Sequence, residues 1–330
     1  MIYVYTLEDD YLMPSAALPG AALPAKAVWI DLINPTREED DQAEAWTKAA
    51  IPTHEDMIEI EESSRFYAEN GAQYLTASIL HSTELKHHGI APVSFILTGK
   101  MLVTVRYTDP KAFTLFIGRA TKPGNGLITP GCGGISVLLG LIEAVTDRIA
   151  DILEGVAGEI DVNSHAIFRR SENDKPMTTK NFRDSLNSIG IQGAFLSKIR
   201  ESIAGVSRLL VYLAAIPNEN LNKRDTRATI KSLERDTQSL STYVDFLSNK
   251  VTFLLDTVVG LISIEQNAII KIFSVAAVAF MPPTLVASIY GMNFHFMPEL
   301  DEVWGYPMAI GVMVASAVIP LLIFRKKGWL

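Results

Sequence analysis

IIKIFSVAAVAFMPPTLVASIY, Ile269–Tyr290, runs for 22 residues with one charge, Lys271. Gly291-Met292-Asn293 and a short acidic loop follow it. A second apolar run, Tyr306–Phe324, has no charge, and the chain then reads Arg325-Lys326-Lys327-Gly328-Trp329-Leu330. A helix needs about 20 apolar residues to cross a bilayer, so each run is long enough. The sequence predicts a multi-pass α-helical membrane protein, with transmembrane helices over 267–290 and 306–325. An outward loop over 291–305 joins them, and a basic cytosolic tail occupies 326–330.

Outside these runs the chain is charged. Of its 330 residues 20% are Asp, Glu, Lys or Arg, and the net charge is −8. Mean hydropathy is nevertheless +0.20, because most of the charge precedes residue 266. The start, Met1-Ile2-Tyr3-Val4-Tyr5, reads as a strand running into Glu8, Asp9 and Asp10, and not as a signal peptide. The large N-terminal part is therefore expected in the cytosol. Lys271 opens the first span, and Arg325, Lys326 and Lys327 close the second, while the loop between has no Lys or Arg. The positive-inside rule then puts both termini in the cytosol and the loop outside, in a plasma (inner) membrane. The single Cys132 excludes an intrachain disulfide and suits a reducing compartment. Net negative charge excludes nucleic acid as a partner and fits a protein that meets cations. No phosphate loop, nucleophile motif or paired zinc-ligand spacing supports an enzyme, and no organic cofactor is implied.

Residues 1–134 read as a cytosolic α/β domain around a mixed sheet. Ile2–Thr6, Val28–Leu32, Tyr74–Leu80, Val93–Leu97 and Leu102–Arg106 are rich in β-branched and aromatic residues and read as strands. Asn34-Pro35-Thr36 starts a helix with Glu38, Glu39, Asp40 and Asp41 in its first turns, where the helix dipole favours acids. His87-His88-Gly89 and Thr98-Gly99-Lys100 read as turns. The glycine-rich stretch Thr121–Gly134 marks a boundary.

Residues 135–266 read as helices. Helical pattern covers Ile135 to about Phe168 and Met177 to Ala215, and Pro217 breaks it. Then Ile230, Leu233, Thr237, Leu240, Val244, Leu247, Val251, Leu254, Val258 and Leu261 alternate steps of three and four. That seam implies left-handed supercoiling with neighbouring helices. Only Gly260 weakens the helix between this seam and the first span, and a lone glycine rarely ends one. The sequence thus predicts one stalk from about Lys223 to Tyr290, roughly 100 Å long. The alternative is an intrachain bundle that stops at the membrane.

Two helices enclose no lumen, so any polar path needs several copies. Asn267, Ile270, Ser274, Ala277, Met281, Thr284 and Ser288 fall at helical spacing on the first span, with Phe273 widening the stripe. Such a stripe lines a path or serves ordinary helix packing. Pro282-Pro283 predicts a local kink, tolerated where neighbours satisfy the freed carbonyls. Gly291 permits a tight exit from the helix, and Asn293 puts an amide oxygen at the outer mouth without fixed charge. Mg²⁺ gives up water reluctantly, so a ring of neutral oxygens holds it through its waters, where carboxylates would bind too tightly to let it pass. Glu299, Asp301 and Glu302 raise the local cation concentration through their field.

Tyr290-Gly291-Met292-Asn293-Phe294, then Met297-Pro298-Glu299-Leu300, then Gly305-Tyr306-Pro307, then a basic tail ending in Trp329-Leu330, resembles the CorA family of magnesium and cobalt channels. The likeness is dense over about 250–330 and looser at Val28–Leu32 and Glu59–Tyr67. It implies a homopentamer with an outer selectivity filter at Gly291, Met292 and Asn293 and a constriction near Met281. It places Asn267 at the inner end of a pore lined by Ile270, Phe273, Ala277, Thr284 and Ser288. It also implies a basic collar of Lys271, Arg325, Lys326 and Lys327. Mg²⁺ would be both cargo and regulator, with Co²⁺ and Ni²⁺ as lesser cargo. Asp256, off the seam, resembles the stalk acid that binds regulatory Mg²⁺ between subunits, with Glu84 as partner. One position departs from the family: many relatives have an acid where this chain has His295, a potential zinc or nickel ligand. Two alternatives follow: a zinc or proton-coupled transporter of the same superfamily, and a non-conducting, membrane-anchored coiled-coil scaffold.

Overall fold

The computed structural model describes residues 1–59, 61–82, 89–168, 179–217, 221, 223–293, 295, 297–298 and 302–328. Its elements are β1 (Ile2–Glu8), β2 (Tyr11–Ala16), β3 (Ala27–Ile33), α1 (Arg37–Thr47), α2 (His54–Ile58), α3 (Glu62–Arg65), β4 (Phe66–Glu69), β5 (Ala72–Ser82), β6 (Gly89–Thr98), β7 (Met101–Arg106), α4 (Lys111–Ala120), α5 (Gly134–Phe168), α6 (Thr179–Ala215), α7 (Arg224–Tyr290) and α8 (Gly305–Lys326). By internal contacts the chain forms two units, Met1–Leu255 and Asp256–Leu330.

The first unit holds a seven-stranded mixed sheet in the order β2-β1-β3-β7-β6-β5-β4. Two antiparallel meanders meet at the parallel pair β3–β7. All five strands read from the sequence are present, and they fill the interior of the sheet. The two that sequence reading missed, β2 and β4, are its edges.

Strand alternation sorts β3 between the two faces of the sheet. Ile30 and Leu32 join Ala43 of α1 and Met57 of α2 in one core. Trp29 points to the other face, where its ring meets Phe116 of α4 at 5.9 Å and Tyr5 at 4.1 Å. The Trp29 indole N–H donates to Thr104 Oγ1 (2.9 Å), and that hydroxyl donates to Asp31 Oδ1 (2.7 Å). Arg106 donates to the same carboxylate through Nε (3.1 Å) and Nη2 (2.9 Å), and Asp31 and Arg106 are both buried. Burial by itself would lower the Arg106 pKa; Asp31 and Asp109 reverse this and raise it. The ion pair bridges the parallel junction.

Helix α1 begins where Asn34-Pro35-Thr36 predicted. The Thr36 side chain accepts from Glu39 N–H, and Glu39 returns the bond to Thr36 N–H, satisfying two otherwise unpaired donors. The acids that follow are not uniformly solvated: Asp40 is partly buried, and burial together with Glu44, Glu39 and Asp41 pushes its pKa up to about 6. Residues Thr98-Gly99-Lys100 form the expected turn, with Gly99 at φ +58°. Gly89 belongs to β6, while His87 and His88 lie outside the described residues.

Two glycines set the helix layer against the sheet. A Cβ at Gly134 would lie 2.3 Å from the backbone of Met101 and Leu102, and one at Gly205 would lie 3.4 Å from Ser78 N. Helix α5 can therefore start directly on β7, and α6 can lie close on β5. Within this unit the α7 seam is buried at Ile230, Leu233, Thr237, Val244, Leu247, Val251 and Leu254. Arg200 of α6 donates to Asp245 of α7 (2.7 Å), and Lys250 of α7 pairs with Asp161 of α5.

The second unit contains the end of α7, the following loop and α8. Helix α7 is 67 residues long and runs through Pro282 and Pro283. The long unbroken helix predicted from the sequence is present, and α7 and α8 are the helices long and apolar enough to cross a membrane among the described residues.

Candidate ion path

Burial along the two apolar helices is patterned. On α7, Val275 is buried, and Val278, Ala279, Pro282, Pro283, Val286 and Tyr290 are partly shielded. On α8, Gly305 and Ala309 are buried, and Met313, Ser316, Ala317, Pro320, Leu321 and Phe324 are partly shielded. Each set follows steps of three and four, which is one face of a helix. This unit contains only these helices and their loop, so the two stripes are where the helices cover each other. Small residues at Ala279, Gly305 and Ala309 lie on these stripes, as is common in membrane helix pairs.

Ile270, Phe273, Ala277, Met281, Thr284 and Ser288 are all exposed. At about 100° per residue their stripe is centred roughly 180° from the shielded face. Within one chain, therefore, the predicted lining residues do not serve α7–α8 packing. Ser274 is half-shielded at the stripe's edge, and Asn267 is exposed and lies off its centre. Thr284 Oγ1 donates to the Phe280 carbonyl at 2.7 Å. Its proton is thus spent on its own helix, and its lone pairs point outward as acceptors suited to a cation's water.

Gly291 follows α7 directly. Its N–H donates to Ala287 O (2.9 Å), and the Met292 N–H donates to Ile289 O (3.2 Å). The helix ends at this glycine, where a tight exit was expected, and Gly291 is absent from the positive-φ positions. Its restriction is spatial: a Cβ there would stand 3.1 Å from Ala287 O. Met292, Asn293, His295 and Glu302 are exposed, while Glu299 and Asp301 lie outside the described residues.

Lys271, Arg325, Lys326 and Lys327 are exposed. Because α7 and α8 are antiparallel neighbours joined by a short loop, all four fall at one end of the pair. Asp256 is exposed, and Glu84 lies outside the described residues. No three His, Cys, Asp or Glu side chains converge on a metal-sized site among the described residues.

A mixed-sheet unit, a stalk helix and two apolar helices joined at a Gly-Met-Asn loop define a two-span α-helical membrane protein. Residues 24–326 match the family model described as "CorA-like Mg2+ transporter protein", and the chain belongs to that family. It is 34% identical to the magnesium transport protein CorA of Haemophilus influenzae over 92% of each chain, and 33% identical to that of Escherichia coli K12 over the full length of both. These relatives are named as transport proteins, not enzymes. The fold matches the complete structure of the CorA magnesium transporter from Methanocaldococcus jannaschii, with a TM-score of 0.76 and 18% identity, over 100% of this chain and 99% of that one.

Proposed function

We propose that this chain forms a homo-oligomeric channel, a pentamer, that admits Mg²⁺ to the cytosol down its electrochemical gradient. The observation that carries the reading is the exposed stripe of α7, opposite the face covered by α8, leading to Asn293. Copies arranged about an axis bring these stripes together, and α8 then forms the lipid-facing outer layer. Both termini lie in the cytosol.

Each residue has a role in this reading. Gly291, Met292 and Asn293 form the outer filter, where amide and backbone oxygens accept from the ion's water shell. Glu299, Asp301 and Glu302 concentrate cations at the mouth. Ser288 and Thr284 receive the hydrated ion, and Ala277 leaves room below them. Met281, Phe273 and Ile270 are the apolar constriction that a hydrated ion crosses only when the helices part, and Asn267 meets it at the inner end. A divalent ion gains about 4.6 kcal/mol per 100 mV of membrane potential, which drives entry without a proton gradient.

Gating acts through Asp256 at the interface between subunits, with Glu84 as its partner. Internal Mg²⁺ bridging facing carboxylates holds the ring symmetric and closed; without it like charges repel and the ring opens. Co²⁺ and Ni²⁺ pass as lesser cargo. The test is ion uptake into liposomes holding the purified protein. Mg²⁺ is expected to enter with no proton gradient. Zn²⁺ moving only with protons while Mg²⁺ stays out would overturn the reading, and movement of neither would leave a scaffold.

A further inference from the structure

Lys271, Arg325, Lys326 and Lys327 have no role in filtering or in the hydroxyl stripe. They are exposed, and none of the ion pairs among the described residues involves them. The α8 C-terminus offsets about half a positive charge through its dipole, which leaves most of the positive charge of this end unbalanced.

The position of these groups fits a lipid headgroup. From Tyr306 to Arg325, and from Lys271 to Tyr290, the helices rise about 28 Å, close to the thickness of a bilayer's hydrocarbon core. Trp304 and Tyr306 are exposed at the opposite end of α8, where amphipathic rings mark a membrane interface. If the aromatic end sits at one headgroup layer, Arg325 and Lys271 reach the other. Lys271 also falls on the α8 side of α7, about 110° from the centre of the exposed stripe at the helix's angular spacing. It therefore points toward the α8 terminus and away from the proposed ion path.

We infer that Lys271, Arg325, Lys326 and Lys327 form a binding site for the phosphate of an anionic phospholipid, on the membrane face from which α7 enters. Guanidinium and ammonium groups provide several donors to phosphate oxygens, and the apolar flanks of α7 and α8 accommodate the acyl chains. The inference rests on the membrane reading and is independent of which ion is carried.

The experiment uses the full chain in nanodiscs of equal phosphatidylglycerol and phosphatidylcholine, with retained lipids counted by native mass spectrometry after release. The wild type is expected to retain phosphatidylglycerol in at least about fivefold excess, the factor expected for one basic residue at an anionic surface. K271Q/R325Q/K326Q/K327Q should bring the ratio near one, while the charge-preserving K271R/R325K/K326R/K327R should keep the excess. Equal retention of both lipids by the wild type, or an unchanged excess in the glutamine variant, would overturn the inference. In detergent, phosphatidylglycerol should raise the thermal midpoint while inorganic phosphate leaves it unchanged; an equal rise with phosphate would contradict a lipid ligand. Mg²⁺ flux is read separately, so loss of flux with intact lipid preference would count against the transport reading alone.

Discussion

Removing the Asp31 carboxylate tests how the two meanders of the sheet are joined. Asp31 accepts from Thr104 Oγ1 at 2.7 Å and from Arg106 Nε and Nη2 at 3.1 and 2.9 Å, with no solvent exposure. In Asp31→Ala the Trp29 indole keeps its bond to Thr104, so the loss centres on Arg106. That guanidinium retains Asp109 at 2.6 Å, whose side chain is 69% exposed and so balances it only partly. Breaking one side of a buried pair costs about 3–5 kcal/mol; with Asp109 remaining, about 3 kcal/mol is expected. For a unit of this size the midpoint should fall by about 6–12 °C, followed by circular dichroism on the detergent-solubilised full chain. Asp31→Ala with Arg106→Met should cost clearly less than the two single changes added together, because the second removes the charge the first strands. A fall under about 2 °C, or strict additivity, would refute the claim that this pair pins β3 to β7.

Asp40 gives a pH prediction. Its folded pKa of about 6 stands above the ordinary 3.8, so the folded state holds the proton more tightly than the unfolded chain. The associated stability is fully present below about pH 4 and is lost as pH rises through 6. Asp40→Asn should flatten that slope and stabilise the protein at pH 7 by less than about 1 kcal/mol, because the group is only partly buried and solvent screens its neighbours' charges; thermal midpoints measured from pH 4 to 8 check this. Gly134→Ala should cost about 3 kcal/mol or prevent folding, since its Cβ would meet backbone at 2.3 Å; a midpoint within about 2 °C of wild type would contradict the packing of α5 on β7. In a Cys132→Ser background, cysteines at 277, 284 and 288 should react with a water-soluble thiol reagent in liposomes, while those at 278 and 286 should not. Uniform labelling would remove the stripe as a water path.

Legibility in the sequence followed pattern contrast. The interior strands read correctly because burial demands β-branched and aromatic residues at Val28–Leu32 and Leu102–Arg106. The edge strands escaped because an edge need not look like a strand. In β2, Pro14 pairs with Tyr5, and Met13 through Ala16 are exposed; proline is tolerated where one side has no partner. β4 is only four residues long. The seam from Ile230 to Leu254 stood out because polar residues separate its apolar ones. The packing face of α8 did not, because in a helix apolar all round only the size of residues such as Gly305 and Ala309 distinguishes it. Gly291 was read as permitting a tight exit, a property of glycine in general; the closeness of the Ala287 carbonyl, 3.1 Å from where a Cβ would stand, is not legible in the sequence. The proposed filter rests on the order of its motifs, and a grouping about an axis depends on copies that no single sequence displays.

The proposed ion path depends most directly on Asn293. Fluorescence-monitored Mg²⁺ uptake should be measured in liposomes at fixed membrane potential, for wild type and for Asn293→Ala at equal protein incorporation. The wild type is expected to take up Mg²⁺, and Asn293→Ala to abolish that uptake or strip it of its selectivity, with oligomeric state and thermal midpoint unchanged. Selective Mg²⁺ uptake at the wild-type rate through Asn293→Ala would contradict it.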